Sequence, residues 1–428
     1  MLPIGIYFKA MSRFIVFLMI LFSLAYGGAK LKEVNLENGV KLIIKETKGR
    51  GIVAGSIFIK SGTHGEEKRG TTNLMASLLT KGTKTFSSYD IASAFEDWGG
   101  SIETSTADDY IYLTFSTRPE GLEQGLRVIE SILLEPTFPE EQLQVEKRRV
   151  IASIRSRRED GFELAMERLR LITYRGTSYE VAPAGREKDV EKVEREDLIK
   201  RWQQVLKGKN IVVAVVGDMP LEELEKRFRA VFSKLPPGEF NLRAEDKPIK
   251  ESLVEKVQRQ GAQATILCAF EGVPLNSPDF FALRVLNSIL GDGMTSKLFD
   301  ELRENRGYAY ATYSMFPIRL YSPRVFAYIG TSPDKKESAL KDLLWVVQEA
   351  EITNEDVELA KKKIIGGYLL DRQTRGRQAF QLGFWEVMGF GYKMDQEYVK
   401  HIESVRLEDV LRVRESLKKA HQCVVVEP

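Results

Sequence analysis

The strongest constraint on the fold is an approximate repeat that relates the two halves of the sequence. The run ESALKDLLWVVQEAEITNEDVELAKKKIIGGYLL in the second half follows the same succession of apolar and polar residues as GLEQGLRVIESILLEPTFPEEQLQVEKRRVIASI in the first. Earlier in each half, QATILCAFEGVP corresponds to VAGSIFIKSGTH, and TSKLFDELRENRGYAYATYS corresponds to SYDIASAFEDWGGSIETSTA. Each half mixes strand-like and helical patterns. We therefore expect an α+β fold built from two homologous αβ domains, produced by internal duplication and each of ordinary domain size.

Polar, turn-rich residues separate the two halves. Pro236-Pro237-Gly238 ends the first half, and the stretch up to about Ile249 has no periodic apolar pattern. The predicted segments are a signal peptide over residues 1–29, an N-terminal domain over 30–238, a linker over 239–252 and a C-terminal domain over 253–428.

The first 29 residues have the layout of a secretory signal. Arg13 precedes an apolar run from Phe14 to Phe22, and the small residues around Ala29 are typical of a cleavage site. The apolar run is short for a membrane span. We expect export, most simply to a bacterial periplasm; an uncleaved signal that anchors the protein in the inner membrane is the alternative. Whether Met1 or Met11 is the true start stays open.

The charge balance and the two cysteines give little indication of a ligand. A formal net charge of +2 over 428 residues argues against a nucleic-acid binder. Cys268 and Cys423 lie in apolar, strand-like runs without the spacing of a metal site. An exported protein permits a disulfide, but we expect two buried free thiols.

The chain has only three histidines, His64, His401 and His421, and no two of them are close in sequence. His64 lies in the polar turn SGTHGEE, where we expect a solvated side chain rather than a metal ligand. We expect His401 and His421 to lie on the surface, in charged helical surroundings.

A short amphipathic helix is predicted between Gly70 and Gly82. Asn73 and Ser77 are four residues apart and therefore share one helical face, with Ala76 beside them. The same spacing places two histidines and a glutamate around zinc in metallopeptidases. Here the spacing is present, but the metal-binding side chains are absent.

The stretch IFIKSGTHGEEKRGTTNLMASLLTKGTKTFSSYDIASAFEDWGGSIETSTADDYIYLTF resembles the pitrilysin/insulinase family of zinc metallopeptidases, which includes the mitochondrial processing peptidases. The family motif H-x-x-E-H falls on Asn73, Ala76 and Ser77, so both histidines and the general base are replaced. The third zinc ligand of the family falls on Glu146, which is retained, and a second acidic position falls on Ser153, where the acid is lost. The resemblance implies two domains packed as a clamshell around a peptide-binding cavity.

Glu146 alone does not make a zinc site, since stable sites use three or four protein ligands. We expect it to be a carboxylate on the helix surface among Lys147, Arg148 and Arg149. The alternative is a leftover ligand that faces the cavity.

The resemblance also extends to the second half. GDGMTSKLFDELRENRGYAYATYS matches the family segment whose arginine and tyrosine reach the substrate, and these fall on Arg303 and Tyr310. A guanidinium and a phenol can both donate hydrogen bonds to a peptide carbonyl or an oxyanion. A helix-surface charge and a core aromatic are the alternative roles. GGSIETSTADDYIYL matches the family's edge strand, to which an extended peptide adds by backbone pairing.

Some members of this family are two-chain enzymes in which one chain has lost the metal motif. The sequence therefore predicts a non-catalytic subunit of a heteromeric zinc metalloendopeptidase that helps to position peptide substrates. This chain would hold no cofactor, and the zinc would lie in a homologous partner with an intact motif. A stand-alone peptide-binding or scaffolding pseudopeptidase is the alternative, and a homodimer stays open.

Overall fold

A computed structural model describes residues 30–428, so the predicted signal peptide lies outside the described residues. Residues 30–428 form two mixed sheets with helices on both faces. The strands of the first half are β1 Leu31–Asn35, β2 Lys41–Glu46, β3 Val53–Lys60, β4 Ser101–Thr106, β5 Tyr110–Thr117 and β6 Ile211–Gly217. Its helices are α1 Thr71–Leu78, α2 Ser88–Glu96, α3 Leu122–Leu134, α4 Glu140–Arg157, α5 Gly161–Thr173, α6 Glu187–Val190, α7 Arg195–Val205 and α8 Leu221–Phe232.

The second half repeats this order of elements. Its strands are β7 Leu253–Gln258, β8 Ala264–Glu271, β9 Ala309–Met315, β10 Arg324–Thr331 and β11 His421–Glu427. Its α-helices are α9 Phe280–Gly291, α10 Lys336–Glu349, α11 Asn354–Asp371, α12 Arg375–Val387, α13 Met394–Glu403 and α14 Leu407–Leu417, and a π-helix spans Phe299–Asn305.

The sheet topology confirms the duplication. The strand orders are β1-β2-β6-β3-β5-β4 and β7-β11-β8-β10-β9, so the second sheet matches strands β2 to β6 of the first. Helices α4 and α11 both have 18 residues, and they begin 214 positions apart, at 140 and 354. Helices α5 and α12 both have 13 residues and begin at 161 and 375. The predicted α+β fold with two homologous domains is confirmed.

Several local predictions also agree with the structure. Gly39, with φ of +94°, allows the tight turn of the predicted hairpin between β1 and β2. Ser87 caps α2 through a reciprocal pair of hydrogen bonds with Asp90. β6 is buried along its whole length, as its continuous apolar run predicts.

One helix of each half packs on the sheet of the other half. Helix α12 packs on β3 and β6 of the first sheet, and helix α5 packs on β8 and β11 of the second. The first contact buries Phe58 and Ala214 against Leu382, and the second buries Leu267 and Val424 in the same core as residues of α5. The opposite face of each sheet packs on its own helices.

Gly383 is where α12 approaches the first sheet most closely. A Cβ at this position would lie 2.5 Å from a ring atom of Phe58, which is fully buried between Phe380 and Tyr110. We expect Gly383→Ala to lower the free energy of unfolding by about 1–3 kcal/mol, because the ring has no space to move into. Urea unfolding followed by circular dichroism measures the change.

Gly376, on the same helix, is the matched control. No atom lies within 4 Å of a Cβ built there. Gly376→Ala should therefore leave the stability unchanged or raise it slightly, by up to about 1 kcal/mol. Equal destabilisation by the two substitutions would contradict the packing argument.

The segment between the sheets is extended and is held in place by both halves. Residues 236–252 contain no helix or strand, and the linker over 239–252 with its domain boundaries stays a prediction. Glu245 accepts hydrogen bonds from the backbone and hydroxyl of Ser178 in the first half. Its carbonyl oxygen accepts one from Ser322 in the second half. The segment is therefore part of the joint between the halves.

The expectation of two free thiols is wrong. Cys268 of β8 and Cys423 of β11 face each other across adjacent strands and form a disulfide. Both residues are completely buried. The sequence could not show the pairing, because nothing in either apolar run indicates which strands are neighbours.

Within residues 30–428, none of the helices has the length and apolar character needed to cross a bilayer.

Candidate peptide-binding site

Helix α1 carries the three replaced motif positions. Its N-terminus follows Gly70, whose φ of +101° requires a residue without a side chain. The Glu66 carboxylate caps this end by accepting from the backbone N–H groups of Gly70 and Thr72, at 3.1 and 2.6 Å. The helix ends at Leu78, one turn before the predicted stop at Gly82.

The motif positions lie where the spacing predicts. Asn73 and Ser77 are half-buried on one face of α1, whereas Ala76 is buried beneath β4. The Ala76 carbonyl accepts a hydrogen bond of 2.6 Å from the hydroxyl of Thr104. The Ser77 hydroxyl donates to the helix backbone, at 3.0 Å from the Asn73 carbonyl oxygen. None of these three side chains supplies a metal ligand or a general base.

Glu146 packs toward α1 and is not the surface carboxylate that we expected. Its side chain is 11% exposed, and both its oxygens accept hydrogen bonds from the Arg149 guanidinium, one from Nε at 2.9 Å. Hydrogen bonding from Arg149 lowers the pKa of Glu146, burial opposes this, and the Ser77 hydroxyl and Lys81 lower it further. The Glu–x–x–Arg spacing was the sequence signal for this pair.

The residues around α1 do not fit a zinc ion. Residues 30–428 contain no group of three or more His, Cys, Asp or Glu side chains that could hold a metal. At the motif itself the single retained carboxylate is already neutralised by a guanidinium. Ser153, at the second acidic position, is exposed on α4. The side chains at these positions offer hydrogen bonding and charge pairing.

β4 is the edge strand of the first sheet, as the resemblance implied. Among the strands of residues 30–428 it pairs only with β5. The hydroxyl of Thr104 holds β4 against α1 through the Ala76 carbonyl, so the free edge lies beside the helix that carries Asn73 and Ser77. A free edge next to a preformed polar surface is the arrangement that accepts an extended peptide.

Arg303 and Tyr310 lie next to each other on the surface of the second half. Arg303 is in the π-helix, and its Nη1 is 3.4 Å from the Tyr310 carbonyl oxygen. Its guanidinium also lies over the ring of Phe299, 5.0 Å from the centroid. Tyr310 belongs to the edge strand β9 and is 57% exposed. The role of a core aromatic is therefore wrong for Tyr310, and both side chains are free to contact a ligand.

His64 is buried, so the expectation of a solvated turn residue is wrong. Only 2% of it is exposed. Its Nε2 is 2.9 Å from an oxygen of Asp109, and its ring packs edge-on against Tyr179 and Tyr321. The Tyr179 hydroxyl donates to the same Asp109 oxygen at 2.6 Å. His64 therefore belongs to the joint between the halves.

The other two histidines differ in surroundings. His401 stacks on Phe281 at the surface of α13, where we expected a helical surface residue. His421 is half-buried at the start of strand β11, so the helical setting expected for it is wrong.

Asp108 is the centre of a second polar cluster that the sequence did not reveal. It lies between β4 and β5 and accepts from Arg170 of α5 at 2.6 Å and from Arg319 of the second half at 3.1 Å. Arg319 also donates to the hydroxyl of Tyr174. Burial by itself would raise the pKa of Asp108, but the charges of Arg170 and Arg319 lower it to about 2.

A cavity of about 420 Å³ lies between α4, α5 and α6. Its lining includes apolar side chains such as Met166 and Val181, together with charged residues of both signs. All of its lining residues belong to the first half. The peptide-binding cavity between the halves therefore stays a prediction from the resemblance.

The described fold and site define a two-domain, peptidase-like scaffold without a set of metal ligands at the motif. Residues 41–185 match the model of insulinase (peptidase family M16), and residues 192–364 match that of the peptidase M16 inactive domain. The chain belongs to peptidase family M16.

Relatives of this chain include both peptidase-named and non-peptidase proteins. The chain is 24% identical over 393 residues to a Bacillus subtilis protein named uncharacterized zinc protease YmxG, covering 89% of this chain and 94% of the relative. It is 21% identical over 349 residues to the Helicobacter pylori non-peptidase homolog YmxG, covering 80% of each. The crystal structure of a peptidase M16 inactive domain from Pseudomonas fluorescens has the same fold, with a TM-score of 0.87, 20% identity and coverage of 93% and 98%.

Proposed function

We propose that this chain is the non-catalytic subunit of a heteromeric zinc metalloendopeptidase, in which it binds and positions peptide substrates. The observation that supports this most directly is that the family's metal-binding positions are replaced or already paired with another side chain. The one retained ligand position, Glu146, is held by Arg149, while the outer edge of β4, beside α1, pairs with no other strand within residues 30–428. Such a chain can bind a peptide but cannot activate water through a metal of its own.

The partner in this proposal is a homologous subunit with an intact H-x-x-E-H motif, which holds the zinc. Arg303 and Tyr310 are exposed and adjacent, so they can reach a peptide bound between two chains. Their donors would hold a substrate carbonyl or stabilise the developing oxyanion.

We propose further that the protein is exported. The sequence of residues 1–29 supports this, and so does the buried disulfide, because disulfides persist in oxidising compartments such as the periplasm.

Reconstitution with the partner tests the proposal. This chain should be mixed with the motif-bearing homologue from the same organism, and cleavage of a quenched fluorescent peptide should be followed. We expect the mixture to be at least about tenfold more active than either chain alone. Arg303→Ala and Tyr310→Phe should each reduce the activity of the mixture by about tenfold or more, because each removes a donor to the substrate.

Exposed residues of the same types provide the controls. Arg118 and Tyr89 lie on the surface of the first half, far in sequence from the pair. Arg118→Ala and Tyr89→Phe should leave the activity of the mixture unchanged. Full activity in both Arg303→Ala and Tyr310→Phe would remove the substrate-positioning role.

A stand-alone peptide-binding or scaffolding protein is the second candidate. The same free edge of β4 favours it, since peptide binding there needs no partner. Size-exclusion chromatography of the two chains separates the candidates. A stable complex with raised activity supports the subunit role, whereas peptide binding without complex formation supports the stand-alone role.

A further inference from the structure

The guanidinium of Arg149 is exposed to solvent on the side that faces away from Glu146. Its Nε and one terminal nitrogen bond to Glu146, but the side chain is 67% exposed while that of Glu146 is 11% exposed. Within residues 30–428, the remaining nitrogen, Nη1, makes no hydrogen bond. The pair therefore presents its cation outward and keeps its anion covered, so an approaching ligand meets donors and positive charge.

A second cation reinforces this charge. Lys81, just beyond α1, is exposed. The positive charges of Lys81 and Arg149 both lower the pKa of Glu146. Lys81 forms no ion pair with any residue in the described part of the chain. Glu146, Arg149 and Lys81 together carry a net charge of +1, and the neighbouring motif positions Asn73 and Ser77 are neutral.

The position of this charge relative to β4 suggests what it recognises. The free edge of β4 lies beside α1, and α1 packs against the helix that carries Arg149. Backbone pairing fixes an added peptide without regard to its side chains, so selectivity comes from groups beside the strand. A guanidinium with a free N–H is suited to a carboxylate.

We infer that the altered motif of this chain is a carboxylate-binding site, which selects extended peptides with an acidic group beside Arg149. The inference rests on the proposed peptide-binding role and specifies its ligand class. The acidic group is either the C-terminal carboxylate of the peptide or an Asp or Glu side chain.

Fluorescence anisotropy with the purified chain alone tests this inference. Four labelled nine-residue peptides of Val, Thr and Ser serve as probes: one with a free C-terminus, and three amidated ones with Glu, Gln or Lys at the centre. We expect the free-acid peptide or the Glu peptide to bind at least about tenfold more tightly than the Gln peptide. The Lys peptide should bind most weakly. The stronger acidic probe identifies the source of the carboxylate.

Variants distinguish recognition from a merely structural role. Arg149→Ala should abolish the preference for acidic peptides, whereas Arg148→Ala, an exposed arginine on the same helix, should keep it. Glu146→Gln should strengthen binding of the acidic probe by up to about fivefold, because it frees the guanidinium. A purely structural pair predicts no gain.

The inference would be overturned if neither the free-acid peptide nor the Glu peptide bound more tightly than the Gln peptide. An unchanged preference for the acidic probe in Arg149→Ala would overturn it as well. Circular dichroism confirms that each variant is folded. If the chain shows no preference for acidic peptides, the carboxylate-binding inference fails, but the subunit role is still tested separately by the reconstitution assay. Failure to raise the activity of a partner, with the acid preference intact, would instead reject the subunit role.

Discussion

Asp108→Asn is expected to lower the free energy of unfolding by about 3–5 kcal/mol. The substitution removes the charge that both Arg170 and Arg319 pair with, and these two guanidinium groups are only 7% and 8% exposed. Two buried cations then lose the counter-ion that they share. Since one arginine belongs to each half, the loss should also weaken the joint between the halves. Urea unfolding at neutral pH measures it.

The control is Asp279→Asn, which removes one partner of the solvent-exposed pair with Arg412. This change should cost no more than about 1 kcal/mol. A loss of similar size in both variants would contradict a special role for the buried cluster.

The same carboxylate sets an expected pH dependence. The pKa of Asp108 is lowered from 3.8 to about 2 by folding, so its ion pairs stabilise the native state fully above about pH 4. That contribution is lost as the pH falls toward 2. Unfolding curves of the wild type should therefore show a drop of about 2 kcal/mol over this range that Asp108→Asn lacks.

Replacement of the disulfide is the second change with a large expected effect. Cys268 and Cys423 are 155 positions apart, so their bond closes a long loop in the unfolded chain. We expect the double variant Cys268→Ala/Cys423→Ala to lose about 2–5 kcal/mol of unfolding free energy. The loss should appear in urea unfolding without reductant.

Reductant provides the matched comparison. Dithiothreitol should destabilise the wild type and leave the double alanine variant unchanged. Two titratable thiols in denatured wild type that has not been reduced would show that the bond does not form.

The local features were predictable because their causes are local. The Asn38-Gly39 turn, the Ser87 cap and the alternating strands depend on neighbouring residues, and the repeat between the halves is visible in the order of such patterns. Apolar periodicity shows that a helix face is buried, but it does not show against which sheet. Apolar periodicity therefore could not predict that α5 and α12 each pack on the sheet of the opposite half.

The missed residues have distant partners. His64 lies in a polar turn, and its burial depends on Asp109, Tyr179 and Tyr321, which belong to separate parts of the chain. Family resemblance placed Asn73, Ser77 and Glu146 together, but it did not indicate that Arg149 covers the carboxylate. A family resemblance predicts where the lost metal ligands were, but it does not predict which contacts the replacing residues make.

The exchange of helices has a consequence for synthesis on the ribosome. The apolar face of the first sheet, including Phe58, is covered by α12 at residues 375–387. The nascent chain therefore carries an uncovered apolar sheet face until residues 375–387 have been translated. Such a nascent chain invites chaperone binding, and release of a truncated product should lead to aggregation rather than to a folded half.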